Sequence, residues 1–206
     1  MVKVKICGIT NLEDALLASS LGADALGFIF SKKSPRYISE SAAKKIITRL
    51  DPFLTKVGVF LDQEPKAVFD IATKLNLDVL QFHGSESASY CRFFAKKFKL
   101  VKVFFPQNSA DLKKISGYKV DANMFDVKYE QKKSGVNFLS ESILAGISKL
   151  IKRGEPVIIS GGLNVNNVIK IKKLKPYAID VASGIEKLVG KKDEQLIKEF
   201  IEKVKR

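Results

Sequence analysis

Two side chains in this 206-residue sequence have both the type and the place to move protons. Cys7 closes the short apolar run KVKIC (3–7), and Asp126 closes ANMFD (122–126). A thiolate can take a proton from carbon; a free thiol titrates near ~8.5, and a neighbouring cation such as Lys5 lowers that value. A carboxyl in an apolar setting is pushed toward its protonated form and can act as a general acid. Each residue also has a plainer reading. Cysteine is often a small buried hydrophobe, and an aspartate at a strand end can cap a helix or pair with a cation. Spacing alone leaves both readings open.

Anion-binding features accompany them. Ser160-Gly161-Gly162-Leu163 and Ala182-Ser183-Gly184-Ile185-Glu186 are two glycine-bearing turns, each after an apolar run. Glycine lets backbone N–H groups approach a phosphate, and a helix expected from about residue 165 would add its N-terminal dipole. Arg36, in KKSPRYIS, has the planar fork that grips a carboxylate with two hydrogen bonds, or it is a solvated arginine in a basic loop. His83, the single histidine, reads as a polar wall or an acid–base group, with a satisfied structural histidine the simpler alternative.

The elements that must position these residues alternate along the chain. Strand candidates are 3–7, 25–30, 56–60, 78–82, 100–104, 122–126, 156–160 and 178–182, several apolar on both faces, as parallel strands covered by helices are. Helical patterns fall between and after them: 12–21 capped by Asn11, 40–50 capped by Ser39, 65–75 with Pro65 in the first turn, 86–97 after Ser85, then 109–116, 140–152, 165–174 and 194–205. Eight strand–helix units predict a single-domain α/β chain, 1–206, closed as a (β/α)8 TIM barrel. An open doubly wound sheet is disfavoured, because no G-x-G-x-x-G follows the first strand. In such a barrel the chemistry sits at the C-terminal strand ends, and the turns after strands seven and eight are the recurrent phosphate site. Alternation puts Lys3 and Lys5 on the face of Cys7 and Val2, Val4 and Ile6 on the helix side, so an inward lysine must find a partner or water.

The formal net charge is +14, from 36 lysines and arginines against 22 acids. The basic residues come in scattered pairs, without a basic tail or an aromatic-interleaved stripe. This favours attraction of a small anion over nucleic-acid binding. No apolar stretch is long enough to span a membrane, and the start of the chain is unlike a secretory signal, so a cytoplasmic protein is expected. Two distant cysteines, Cys7 and Cys91, and one histidine point to neither a disulfide framework nor a metal site.

The segments KICGITNLEDA (5–15), ADALGFIF (23–30), SPRYIS (34–39), VGVF (57–60), LQFHG (80–84), FD (125–126), SGGLNVNNV (160–168) and DVASGIEKLVGKKD (180–193) together resemble the phosphoribosylanthranilate isomerase family, in order and over nearly the whole chain. The resemblance implies an Amadori rearrangement in tryptophan biosynthesis, without cofactor or metal, on an anionic phosphosugar. It implies Asp126 as general acid, Cys7 as general base, Arg36 on the anthranilate carboxylate, and Gly161, Gly162, Ser183 and Gly184 on the phosphate; His83 is counted beside them as a substrate-binding candidate. It leaves open a monomer or a homodimer. The sequence departs from the family after Asp126. A small hydroxyl residue is replaced by Val127, and in KKSGVNFLS (132–140) Ser134, Gly135 and Phe138 fit, whereas an Asp-Trp pair is replaced by Leu139-Ser140. This segment is expected to cover the substrate. Other phosphosugar barrels fit less well. Indole-glycerol-phosphate synthase would carry a catalytic lysine and an N-terminal extension, a histidine-pathway isomerase an aspartate in place of Cys7, and ribulose-phosphate epimerase metal-binding histidines. A non-enzymatic anion-binding barrel is the rival from another class.

Overall fold

The computed structural model describes residues 1–128, 131 and 138–206. Eight parallel strands close into a barrel in sequence order: β1 (Lys3–Cys7), β2 (Ala25–Ile29), β3 (Thr55–Phe60), β4 (Val79–Phe82), β5 (Lys99–Phe104), β6 (Ala122–Phe125), β7 (Val157–Ile159) and β8 (Ala178–Val181). β8 pairs with β1, so the barrel itself has no open edge. Helices α1 (Leu12–Ser20), α2 (Glu40–Ile47), α3 (Pro65–Lys74), α4 (Ala88–Phe94), α5 (Glu141–Lys152), α6 (Val168–Lys172) and α7 (Glu194–Lys205) surround it, with a 3-10 helix at Ser109–Gly117. A second 3-10 turn (Ser183–Ile185) and a hairpin of β9 (Glu186–Leu188) and β10 (Lys191–Lys192) join β8 to α7.

Two apolar layers follow from strand alternation. Outward side chains such as Val4, Ile6, Leu26, Phe28, Leu80, Phe125 and Ile179 pack beneath the helices in one continuous core. Inward ones, among them Val101, Val103, Ala122, Met124 and Ile158, fill the barrel itself. Val4 and Ile6 therefore face the helices and Cys7 and Lys5 the interior, while Lys3 emerges at the N-terminal mouth, its Nζ 3.1 Å from the Tyr177 hydroxyl.

Helix ends differ from the sequence reading where side chains compete for the backbone. The helix expected from 86 starts at Ala88, because Glu86 turns inward. Its carboxylate accepts the N–H groups of Asp62 and Gly84 and meets Lys102 at 3.2 Å, so Ser87, not Ser85, is the cap. The helix expected at 165–174 is only Val168–Lys172, because the Asn164 and Asn167 side chains bind each other's backbone N–H and hold 164–167 as a turn. The helix expected over 40–50 ends at Ile47, and 109–116 is wound as 3-10.

Candidate active site

All the sequence-predicted site residues lie at the C-terminal strand ends or in the loops that follow them. Cys7 is 5 % exposed, and its register partner on β2 is Gly27. A Cβ at position 27 would stand 2.7 Å from Cys7 Sγ and 3.0 Å from Lys5 Nζ, so thiol and ammonium share the space that this glycine leaves. Pairing of β1 with β8 sets Lys5 beside Asp180, and Lys5 Nζ donates to Asp180 Oδ1 at 2.7 Å. Asp180 Oδ2 accepts the Ser160 hydroxyl at 3.0 Å. The inward lysine thus has its partner, one that the sequence reading did not single out. Burial works against the Lys5 charge, but Asp180 and Cys7 together more than offset it, so Lys5 stays an ammonium, held well above its ordinary range. Burial pushes the Cys7 thiol up, and the Lys5 ammonium only partly opposes this.

Asp126 is buried at the end of β6, with Oδ1 accepting the Val127 N–H at 2.6 Å and Oδ2 lying 3.8 Å from His83 Nε2. His83 stands partly exposed after β4. Its Nδ1 meets Gln81 Nε2 at 3.2 Å, and its ring is edge-on to Phe105. Gly161 completes the pocket around the carboxyl. It takes φ +87°, and a Cβ there would fall 2.7 Å from Asp126 Oδ1. A chain of contacts therefore runs around the mouth from Cys7 past Lys5 and Asp180 to Ser160, Gly161 and Asp126, over strands β1, β8, β7 and β6.

The two glycine turns touch. A Cβ on Gly184 would lie 1.8 Å from the Leu163 carbonyl oxygen, so only glycine lets the 183–185 turn seat against the loop after β7. Asn167 Nδ2 ties that loop back through Gly162 O at 2.9 Å. Among the described residues, the backbone N–H groups of Gly161 and Gly162 donate no hydrogen bond to another group. Two adjacent donors without acceptors, beside a second glycine turn, suit a phosphate. The helix expected to add its dipole begins too late and is too short to do so.

Arg36 reaches over Gly8 rather than into solvent. Its Nε and Nη2 donate to both carboxylate oxygens of Glu186, at 2.8 and 2.6 Å. Glu186 holds the guanidinium above its ordinary range, and Glu186 itself, despite burial, is held below the usual carboxylate range by Arg36 and Lys192. Ser134 and Gly135 lie outside the described residues. Val127 and Leu139 are core side chains and Ser140 caps α5, so the three positions where the family resemblance fails do structural work here. Among the described residues, no three or more His, Cys, Asp or Glu side chains gather as metal ligands, and no helix is long and apolar enough to cross a membrane.

A family model described as N-(5'-phosphoribosyl)anthranilate (PRA) isomerase matches residues 4–203. The chain belongs to the phosphoribosylanthranilate isomerase family. The N-(5'-phosphoribosyl)anthranilate isomerase of Thermotoga maritima is 42% identical over 207 residues, covering 100% of this chain and 99% of its own. A solved phosphoribosyl anthranilate isomerase in complex with reduced 1-(o-carboxyphenylamino)-1-deoxyribulose 5-phosphate superposes with a TM-score of 0.85 at 38% identity, covering 100% of this chain and 99% of that one. Generated monomers of the dimeric Thermotoga maritima isomerase superpose with a TM-score of 0.88 at 38% identity and the same coverage.

Proposed function

We propose that this chain is a cytoplasmic phosphoribosylanthranilate isomerase of tryptophan biosynthesis, one catalytic barrel domain over its whole length. It converts N-(5'-phosphoribosyl)anthranilate to 1-(2-carboxyphenylamino)-1-deoxyribulose 5-phosphate, with Asp126 as acid and Cys7 as base. The supporting observation is the single rim that carries a buried carboxyl, a thiol beside an ammonium, and two touching glycine turns. Asp126 gives its proton to the furanose ring oxygen as the C1–O bond breaks, which leaves a protonated Schiff base. That iminium draws electrons from the neighbouring C2–H. The Cys7 thiolate takes the C2 proton, giving an enolamine that tautomerises to the ketone. The iminium acidifies the carbon, so a modest base suffices once it is held in place. His83 lines the substrate site beside Asp126. Arg36 holds the anthranilate carboxylate, and the backbone at Gly161, Gly162, Ser183 and Gly184 holds the phosphate.

The test is the fluorescence decay of N-(5'-phosphoribosyl)anthranilate. The wild type is expected to consume it, and Cys7→Ser to lose about 10²–10⁴-fold in kcat while keeping its circular dichroism. Full activity in Cys7→Ala would refute the assigned base.

A homodimer is the favoured assembly. The N-terminal mouth opens into a cavity of about 710 Å³, and Phe53 at its edge is 96 % exposed. An exposed aromatic beside a cavity suits a reciprocal contact between two copies. Sedimentation should find a dimer in the wild type and a monomer in Phe53→Asp; a monomeric wild type overturns the assembly but not the activity.

A further inference from the structure

One buried cation of the mouth has no part in this mechanism. The Lys192 side chain is 0% exposed. A buried ammonium is costly unless each of its three protons finds an acceptor. Here Nζ lies 2.7 Å from Cys7 O, 3.1 Å from Ala182 O and 3.0 Å from Glu186 Oε1. These acceptors belong to three different parts of the site. Cys7 carries the assigned base. Ala182 opens the turn whose Ser183 and Gly184 are assigned to phosphate. Glu186 occupies Nε and Nη2 of Arg36, so the clamp assigned to the substrate carboxylate is left with Nη1. The backbone of Lys192 is itself anchored, its N–H donating to Asp14 Oδ2 at 2.8 Å, and Gly190 O accepts the Thr10 hydroxyl at 2.5 Å.

We propose that Lys192 and Glu186 are a positioning pair, which holds the base, the phosphate turn and the carboxylate clamp in one frame so that a single substrate can span all three. The proposal rests on the reading of the site given above. A hairpin staple with no role in the reaction would cost stability and leave the kinetic constants alone. A pure charge effect would have the opposite sign at Glu186, because losing a carboxylate beside an anion site tightens anion binding. Positioning predicts the reverse, since an arginine released from its fork must be ordered by the substrate.

The experiment compares wild type, Glu186→Gln and Lys192→Met in steady-state turnover, and by fluorescence titration with reduced 1-(o-carboxyphenylamino)-1-deoxyribulose 5-phosphate. Glu186→Gln is expected to raise KM and the analogue's Kd about fivefold, with kcat within about twofold of wild type. Lys192→Met is expected to lower kcat about tenfold or more and to raise KM as well, because it also frees the Cys7 backbone. Unchanged or tighter binding in Glu186→Gln overturns the pair. So does Lys192→Met with both constants within about twofold of wild type and only a lower melting temperature. If Lys192→Met does not fold, Glu186→Gln alone decides. A wild type that neither turns over nor binds the analogue sinks the isomerase reading, and the pair with it. An active wild type with indifferent variants sinks the pair alone.

Discussion

The two ends of the barrel use charge in opposite ways. At the N-terminal end one device is repeated. Asp24, Asp78 and Asp121 each stand one residue before an even-numbered strand, and each accepts the N–H of the second residue of the preceding strand: Val4 at 2.7 Å, Lys56 at 2.7 Å and Leu100 at 2.9 Å. These three carboxylates are one-third to nearly one-half exposed, and of their cationic partners Lys99 is exposed while Lys205 and Lys56 are partly buried. At the C-terminal end the carboxylates and lysines are buried and meet one another, Lys5 with Asp180 and Lys192 with Glu186, and a partly buried Arg36 joins Glu186. The first arrangement stitches neighbouring strands and exposes its charge to water. The second withholds charge from water, which strengthens its action on a bound anion and makes each partner expensive to lose. Three cations face two carboxylates in that group, an excess of one positive charge where a substrate carrying both a phosphate and a carboxylate is expected. The difference teaches where this fold stores stability and where it stores chemistry.

Four substitutions or conditions bear on the contrast. The largest effect is expected for Asp126→Asn, a loss of about 10²–10⁴-fold in kcat with little change in the unfolding midpoint, read by the fluorescence assay and by denaturant titration. A matching drop in stability would mean that Asp126 belongs with the stitching aspartates. Lys5→Met should destabilise the fold by about 3–5 kcal/mol in urea, because it leaves Asp180 buried without its cation. It should also slow turnover by removing the ammonium beside Cys7. A loss smaller than about 1 kcal/mol would place Lys5 with the surface pairs.

The pH profile comes next. The Cys7 thiol lies above its ordinary value because it is buried, with Lys5 only partly opposing this. The working form is the thiolate, so little of it exists at neutral pH. The value of kcat/KM should climb with pH, by up to about tenfold per unit, until the raised pKa is passed. Lys5→Met should move that limb further alkaline. A limb that falls with rising pH through the same range would contradict a thiolate base. The smallest effect is expected for Asp121→Ala, a loss of about 1 kcal/mol in urea with kcat and KM intact.

Much of this was legible from one strand period. Alternation in KVKIC directed Cys7 inward, and eight apolar runs between helical patterns were enough to predict the closed barrel. What escaped was register between distant strands. Lys5 demanded a partner, but Asp180 is 175 residues away and becomes its neighbour only when β8 closes on β1. Glu186 is likewise 150 residues from Arg36, so the arginine read as either a ligand clamp or a solvated side chain, not as one already gripped on two of its nitrogens. Local competition hid the rest. Asn164 and Asn167 shorten a helix whose apolar spacing alone predicted ten residues, and Glu86, expected on a helix face, turns inward to Lys102.

The closure of β8 on β1 also has a meaning in time. The ribosome releases Lys5 long before the strand that neutralises it exists, and Lys192 and Glu186 follow later still. Until β8 is made, burying the Lys5 ammonium is unfavourable, which disfavours early closure around the first strand. A fragment released before β8 carries Cys7 and Asp126 but lacks both the Asp180 partner of Lys5 and the second glycine turn.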